Sequence, residues 1–162
     1  AHFADLMTST ISYKGNLSTE CTHLKSSKTI VTDAPIDNNG NGQSFSPTDL
    51  VATGLAACMI TVMGIKAAAN DIQFALVEAS VLKVMSSNPR RITGIKVNVT
   101  VAENWTEKEK QILEKMAKTC PVAQSLHPEI KQEVIFNSSE TEYWWDEYSY
   151  EMMYILPYHS LL

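Results

Sequence analysis

Leu50–Ile65 runs for sixteen residues without a charge. It follows Ser46-Pro47-Thr48-Asp49, a strong helix start: Ser46 can cap, Pro47 fits the first helical position, and Asp49 completes a capping-box-like pattern. The pattern predicts a helix that runs to about Ala69 and stops at Asn70. Apolar nearly all round, such a helix has to be buried on most sides. A single domain of 162 residues rarely surrounds a helix alone, so burial by a partner subunit, as a homodimer, is expected. The apolar run is short of a membrane span, and no membrane association is expected.

The rest of the chain predicts short strands and amphipathic helices. Thr8–Tyr13 and Leu17–His23 alternate around Gly15-Asn16 as a β-hairpin, and Lys28–Thr32 is a third, β-branched strand. Phe74–Met85 and Arg91–Val101 are longer strand candidates joined through Ser86-Ser87-Asn88-Pro89. Thr106–Lys118 reads as a helix capped by Thr106 and Glu109, with Ile112, Leu113 and Met116 as its apolar stripe. Cys120–Leu126 is a short helix stopped by Pro128, and Glu133–Phe136 a last strand. The order β-β-β-α-β-β-α-α-β has no repeated βαβ unit and indicates an α+β fold with a long buried central helix.

Charge is unevenly spread. Residues 1–137 hold all 13 Lys/Arg and 13 of the 18 acids, whereas 138–162 hold five acids, no Lys or Arg, and seven of the 13 aromatic residues. A boundary is expected near Asn137, with 7–137 as the domain and 138–162 as an acidic, aromatic-rich extension, helical from its Ser139-Glu140-Thr141-Glu142 capping box. Residues 1–6 are expected to be extrinsic, with Met7 a plausible native start. The net charge of −5, with no basic cluster longer than Arg90-Arg91, speaks against nucleic-acid binding. Three cysteines are too few for a disulfide framework, and no signal peptide is visible, so reduced thiols in the cytoplasm are expected.

Two of those thiols are distinctively placed. Cys58 lies about twelve residues into the apolar helix, too deep for the helix dipole to help it, with Gly54, Leu55, Thr61 and Val62 one turn away. Gly54 leaves room beside the sulfur for a substrate or another backbone. Cys120, 62 residues later, opens a helix, where a thiolate is stabilised. A cysteine in an apolar helix is commonly no more than a small core residue. The placement of the two together suggests a redox pair.

The stretch Ser46-Pro47-Thr48-Asp49-Leu50-Val51-Ala52-Thr53-Gly54-Leu55-Ala56-Ala57-Cys58, followed by Cys120-Pro121-Val122, resembles the OsmC/Ohr family of thiol peroxidases. The likeness covers roughly residues 8–137. It implies an intertwined homodimer with active sites at the subunit interface and no cofactor or metal. By it, Cys58 would be the peroxidatic thiol that attacks an organic hydroperoxide, and Cys120 the resolving thiol that closes a disulfide, later reduced by a dithiol. The well-characterised peroxidases of the family carry a Glu just after the helix Pro, paired with an N-terminal Arg. Here the matching position is Thr48, with Asp49 next to it, and no Arg precedes Arg90. Lys14, Lys25 and Lys28 are the N-terminal cations that could substitute. Thr48 and Cys58 are ten residues apart, roughly 15 Å along a straight helix, so contact needs a helix break or the other subunit.

The competing reading is a non-catalytic protein on the same scaffold that binds a small hydrophobic ligand or a partner; the missing Glu and Arg favour it, and the retained cysteine pair favours the enzyme. Cys21 and His23 share a strand face, but two ligands do not make a metal site. His127 precedes Pro128 and is expected in a turn rather than in catalysis.

Overall fold

A computed structural model describes residues 3–138. The expected acidic helix, from residue 139 onward, lies outside the described residues. After a single 3-10 turn at Phe3–Leu6, strands β1 (Ser9–Gly15), β2 (Ser18–His23) and β3 (Thr29–Asp33) form an antiparallel meander. Helix α1 (Pro47–Ala69) follows, then β4 (Val77–Ser87), β5 (Arg90–Val101), α2 (Glu107–Ala117), α3 (Pro121–Ser125) and β6 (Lys131–Ser138). The second sheet has the order β4-β5-β6, antiparallel across β4–β5 and parallel across β5–β6. The architecture is α+β, with the element order expected from the sequence.

Helix α1 begins where its cap chemistry dictates. The Asp49 N–H donates to Ser46 Oγ at 3.1 Å, and the Ser46 N–H donates to Asp49 Oδ2 at 2.9 Å, a complete capping box ahead of Pro47. Thr106 and Glu109 build the same device at the start of α2. Strand β4 starts later than the sequence indicates. The N–H groups of Ala75 and Leu76 donate to the Glu103 carboxylate instead of a strand partner, and the Phe74 ring stacks on Trp105 at 5.9 Å, so this stretch stays a loop.

The core is a single layer between α1 and the second sheet, closed by α2. Leu55, Met59 and Met63 of α1 meet Ile95, Val97 and Val99 of β5, with Leu113 and Ala117 of α2 and Cys120 beside them. Ile92 joins the buried residues of β5 although it is three positions from Ile95. The β4–β5 register slips between Val84 and Met85, which pair with Gly94 and Ile92, and this bulge leaves Thr93 as the extra residue.

Among the described residues, nothing covers the opposite side of α1. Val51, Ala57, Thr61 and Ile65 are exposed, and Gly54 and Cys58 lie half-buried among them. The N-terminal sheet is also open: Ile11, Tyr13, Ile30 and Val31 are all exposed. It is tied to its own chain mainly through the segment after β3, where the Asp33 N–H donates to the Phe45 carbonyl, the Gln43 N–H to Asp33 Oδ2 and the Ser44 hydroxyl to the Val31 carbonyl. Although α1, at 23 residues, has the length and composition of a membrane span, the central helix of a globular fold meets the same criteria, and one side of α1 packs on its own sheet.

Candidate functional site

Cys120 is positioned by a sharp change of direction. Helix α2 ends at Ala117, the Cys120 N–H reaches back to the Ala117 carbonyl at 3.4 Å, and Pro121 starts α3. Cys120 is the N-cap of α3: its Sγ accepts from the Ala123 N–H at 3.3 Å. Gln132 Nε2 donates to the Ala123 carbonyl at 3.1 Å and pins the short helix to β6. The Cys120 thiol is fully buried. Burial pushes it up, the Ala123 N–H pulls it down, and the neighbouring Cys58 thiol pushes it up again; the balance is a thiol raised above its ordinary value. Cys120 therefore stays protonated at neutral pH until something draws its proton away.

Cys58 lies beside Cys120, on the α1 side of the contact between α1 and α3. It is half-buried: it packs against the core yet borders the uncovered stripe of α1. One turn before it, a Cβ at Gly54 would meet nothing within 4 Å, so the helix is open there. One turn after it, Thr61 Oγ1 donates to the Ala57 carbonyl and turns its hydroxyl back on its own helix. Both cysteines are free. The pair has the layout of a two-thiol redox unit, with one sulfur reachable from outside and the other sealed behind it.

Thr48 and Asp49 are gathered around a residue that sequence reasoning passed over. Lys83 of β4 donates to Asp49 Oδ1 at 2.7 Å, to Thr48 Oγ1 at 2.8 Å and to Ser46 Oγ at 3.4 Å, with its side chain only 16% exposed. Burial works to raise the Asp49 carboxyl, but hydrogen bonds from Lys83 and from the Ser46 N–H outweigh it and hold Asp49 below the usual carboxylate range. The signal in the sequence was a lone cation inside Val81-Leu82-Lys83-Val84-Met85. The N-terminal lysines do not supply this cation; Lys14 instead pairs with Glu20 at 3.6 Å. Helix α1 has no break between Thr48 and Cys58, so within one chain the Lys83 cluster stands roughly 15 Å along the axis from the thiols.

The lesser candidates are dispersed. Thr19 Oγ1 is 3.8 Å from Cys21 Sγ, while His23 Nδ1 lies 2.7 Å from Ser26 Oγ. Among the described residues no group of three His, Cys, Asp or Glu is placed to hold a metal ion. His127 is exposed in the turn after α3, its Nδ1 accepting from the Glu129 N–H at 3.2 Å.

Comparison with known proteins places this architecture. The sequence model of the OsmC-like protein family matches residues 40–134. A crystal structure of a candidate osmotic stress induced and detoxification response protein from Psychrobacter arcticus is 46% identical, with a TM-score of 0.79 over 84% of this chain and 99% of that one. An organic hydroperoxide resistance protein OsmC from Legionella pneumophila shares the fold at 16% identity and a TM-score of 0.66, over 82% and 98% of the two chains. The organic hydroperoxide resistance protein of Bacillus subtilis does so at 19% identity and 0.58, over 81% and 98%. Comparison with curated protein sequences found no match. With the family's sequence pattern spanning α1 through β6 and a 46% identical relative covered almost end to end, the chain belongs to the OsmC-like protein family.

Proposed function

We propose that this protein is a homodimeric, cysteine-dependent peroxidase that reduces organic hydroperoxides and is recycled by a dithiol. The observation that carries the reading is the half-buried Cys58 thiol in the neighbourhood of the sealed Cys120 thiol, both free. Structural relatives that are organic hydroperoxide resistance proteins support the substrate class. In the first step the Cys58 thiolate attacks the terminal oxygen of the hydroperoxide. The O–O bond breaks, the alkoxide takes a proton and leaves as the alcohol, and Cys58 becomes the sulfenic acid. The Cys120 sulfur then attacks the Cys58 sulfur. Its proton and the sulfenic hydroxyl leave as water, and the disulfide forms. A dithiol returns two electrons and two protons by exchange. Such a cycle suits the reducing cytoplasm.

The uncovered stripe of α1 and the open N-terminal sheet support the dimer, because both present apolar surface of a kind that marks an association face. The test is mass spectrometry after one equivalent of cumene hydroperoxide, with turnover followed by stopped flow. A Cys58–Cys120 disulfide is expected in the wild type. Cys58→Ser should abolish peroxide consumption, and Cys120→Ser should stop at the Cys58 sulfenic acid and recycle slowly. Equal turnover in the wild type and Cys58→Ser would end this reading.

A further inference from the structure

Gln132 stands in an apolar row. On β6 it shares one face with Val134 and Phe136, and the three pair with Ile95, Val97 and Val99 of β5, all buried in the core. A half-buried amide in such a row costs free energy unless its groups are bonded. Gln132 Nε2 donates to the Ala123 carbonyl at 3.1 Å. Ala123 is also the residue whose N–H donates to Cys120 Sγ at 3.3 Å. One residue of α3 therefore bonds the thiol with its N–H and the sheet with its carbonyl.

Helix α3 needs such a tie. It has five residues, little more than one turn, too few to hold a helix without outside support. Val122, Ala123 and Leu126 pack it against the core, but apolar burial is non-directional and does not fix where an N–H points. Gln132 supplies the direction. Its backbone is fixed in the parallel ladder opposite Ile95, so its amide holds the Ala123 carbonyl from a rigid strand.

Disulfide closure is the step that depends on this order. Cys120 has to give up its proton as its sulfur attacks. Burial and the neighbouring Cys58 keep the proton on, and the N–H groups of Ala123 and Val122 favour its loss. A hydrogen bond to a developing thiolate is charge-assisted, so it is stronger in the transition state than in the resting thiol. We infer that Gln132 is a positioning residue for the resolving thiol: through the Ala123 carbonyl it fixes the turn that keeps the Ala123 N–H on Cys120 Sγ while the disulfide forms. In that step the S–S bond forms and the S–O bond of the Cys58 sulfenic acid breaks. The leaving hydroxyl takes the Cys120 proton and departs as water. The inference rests on the peroxidase reading above and goes beyond it by naming a residue, in contact with neither peroxide nor sulfur, that governs the second step alone.

The experiment separates the two steps. In the full chain carrying Cys21→Ser, single-turnover stopped flow with cumene hydroperoxide follows sulfenic acid formation. Acid quench and mass spectrometry follow the Cys58–Cys120 disulfide, and circular dichroism and light scattering check fold and assembly. Gln132→Met, close in shape but without a donor, should leave sulfenic acid formation unchanged and slow closure about tenfold, the effect of one hydrogen bond. With excess peroxide, more of its Cys58 should pass on to the sulfinic acid, because the sulfenic acid lives longer. Gln132→Lys, which can still donate to the carbonyl, should recover most of the closure rate. Closure as fast in Gln132→Met as with Gln132 present, a parallel loss in both steps, or no recovery in Gln132→Lys overturns the inference. Failure of the protein with Gln132 intact to consume hydroperoxide would instead sink the peroxidase reading itself.

Discussion

Replacing Asp49 by Asn tests the polar cluster at the start of α1 through stability alone. The side chain keeps its shape, and its oxygen can still accept from the Ser46 N–H, so the cap is largely retained. What is lost is the charge facing Lys83 at 2.7 Å. Exposed ion pairs contribute about 0.2–1 kcal/mol, and removing one partner of a fully buried pair costs about 3–5 kcal/mol. Lys83 is 16% exposed and Asp49 41%, so solvent screens the pair well below the buried limit, and a loss of about 1–2 kcal/mol is expected. For a chain of 162 residues that is about 3–6 °C in Tm. The effect has a pH signature. Asp49 is held below its ordinary value of 3.8, so its contribution is fully present above that value and is lost as pH falls through the lowered one. Urea melts of wild type and Asp49→Asn, at one protein concentration because an oligomer's stability depends on it, should differ fully at pH 7. The difference should shrink as pH drops below 3.8. Equal stability at pH 7, or a difference that does not narrow in acid, would refute the assignment of Lys83 as the charge partner of Asp49.

Two further predictions concern what lies on either side of α1. Val51→Lys or Ile65→Lys, on the uncovered stripe, should weaken the dimer at least about a hundredfold, because association would bury an unpaired ammonium; a variant still dimeric by light scattering at low micromolar concentration would contradict the proposed interface. On the covered side, Leu113→Ala removes a side chain with no exposure and should cost about 2–5 kcal/mol by urea denaturation, with a loss below about 1 kcal/mol showing that α2 packs more loosely than described.

What was legible in the sequence was encoded over a few residues. Ser46, Pro47 and Asp49 define the start of α1 because each acts on backbone groups within one turn, and Thr106 with Glu109 does the same for α2. The proline after Cys120 likewise signals the helix that the cysteine caps. The late start of β4 was not legible, because it depends on Glu103, some 27 residues away, drawing the Leu76 N–H out of the strand. The bulge at Thr93 was hidden for a similar reason: three positions apart, Ile92 and Ile95 belong to opposite faces of a regular strand, and only the register with Met85 and Val84 brings them onto one.

Lys83 illustrates the same limit at the candidate site. A search by position asks which cation stands in the N-terminal region, and Lys14, Lys25 and Lys28 answer it. The fold asks which cation reaches the first turn of α1, and β4 lies against that helix. A lysine in the middle of a half-buried strand has to bring its ammonium to acceptors, and Thr48 and Asp49 supply them. The apolar run was equally incomplete as a guide. It shows that α1 needs cover all round, and the described residues supply that cover on one side only. The thiols sit at the border between the two sides, so the chemistry available to Cys58 depends on whatever occupies the other.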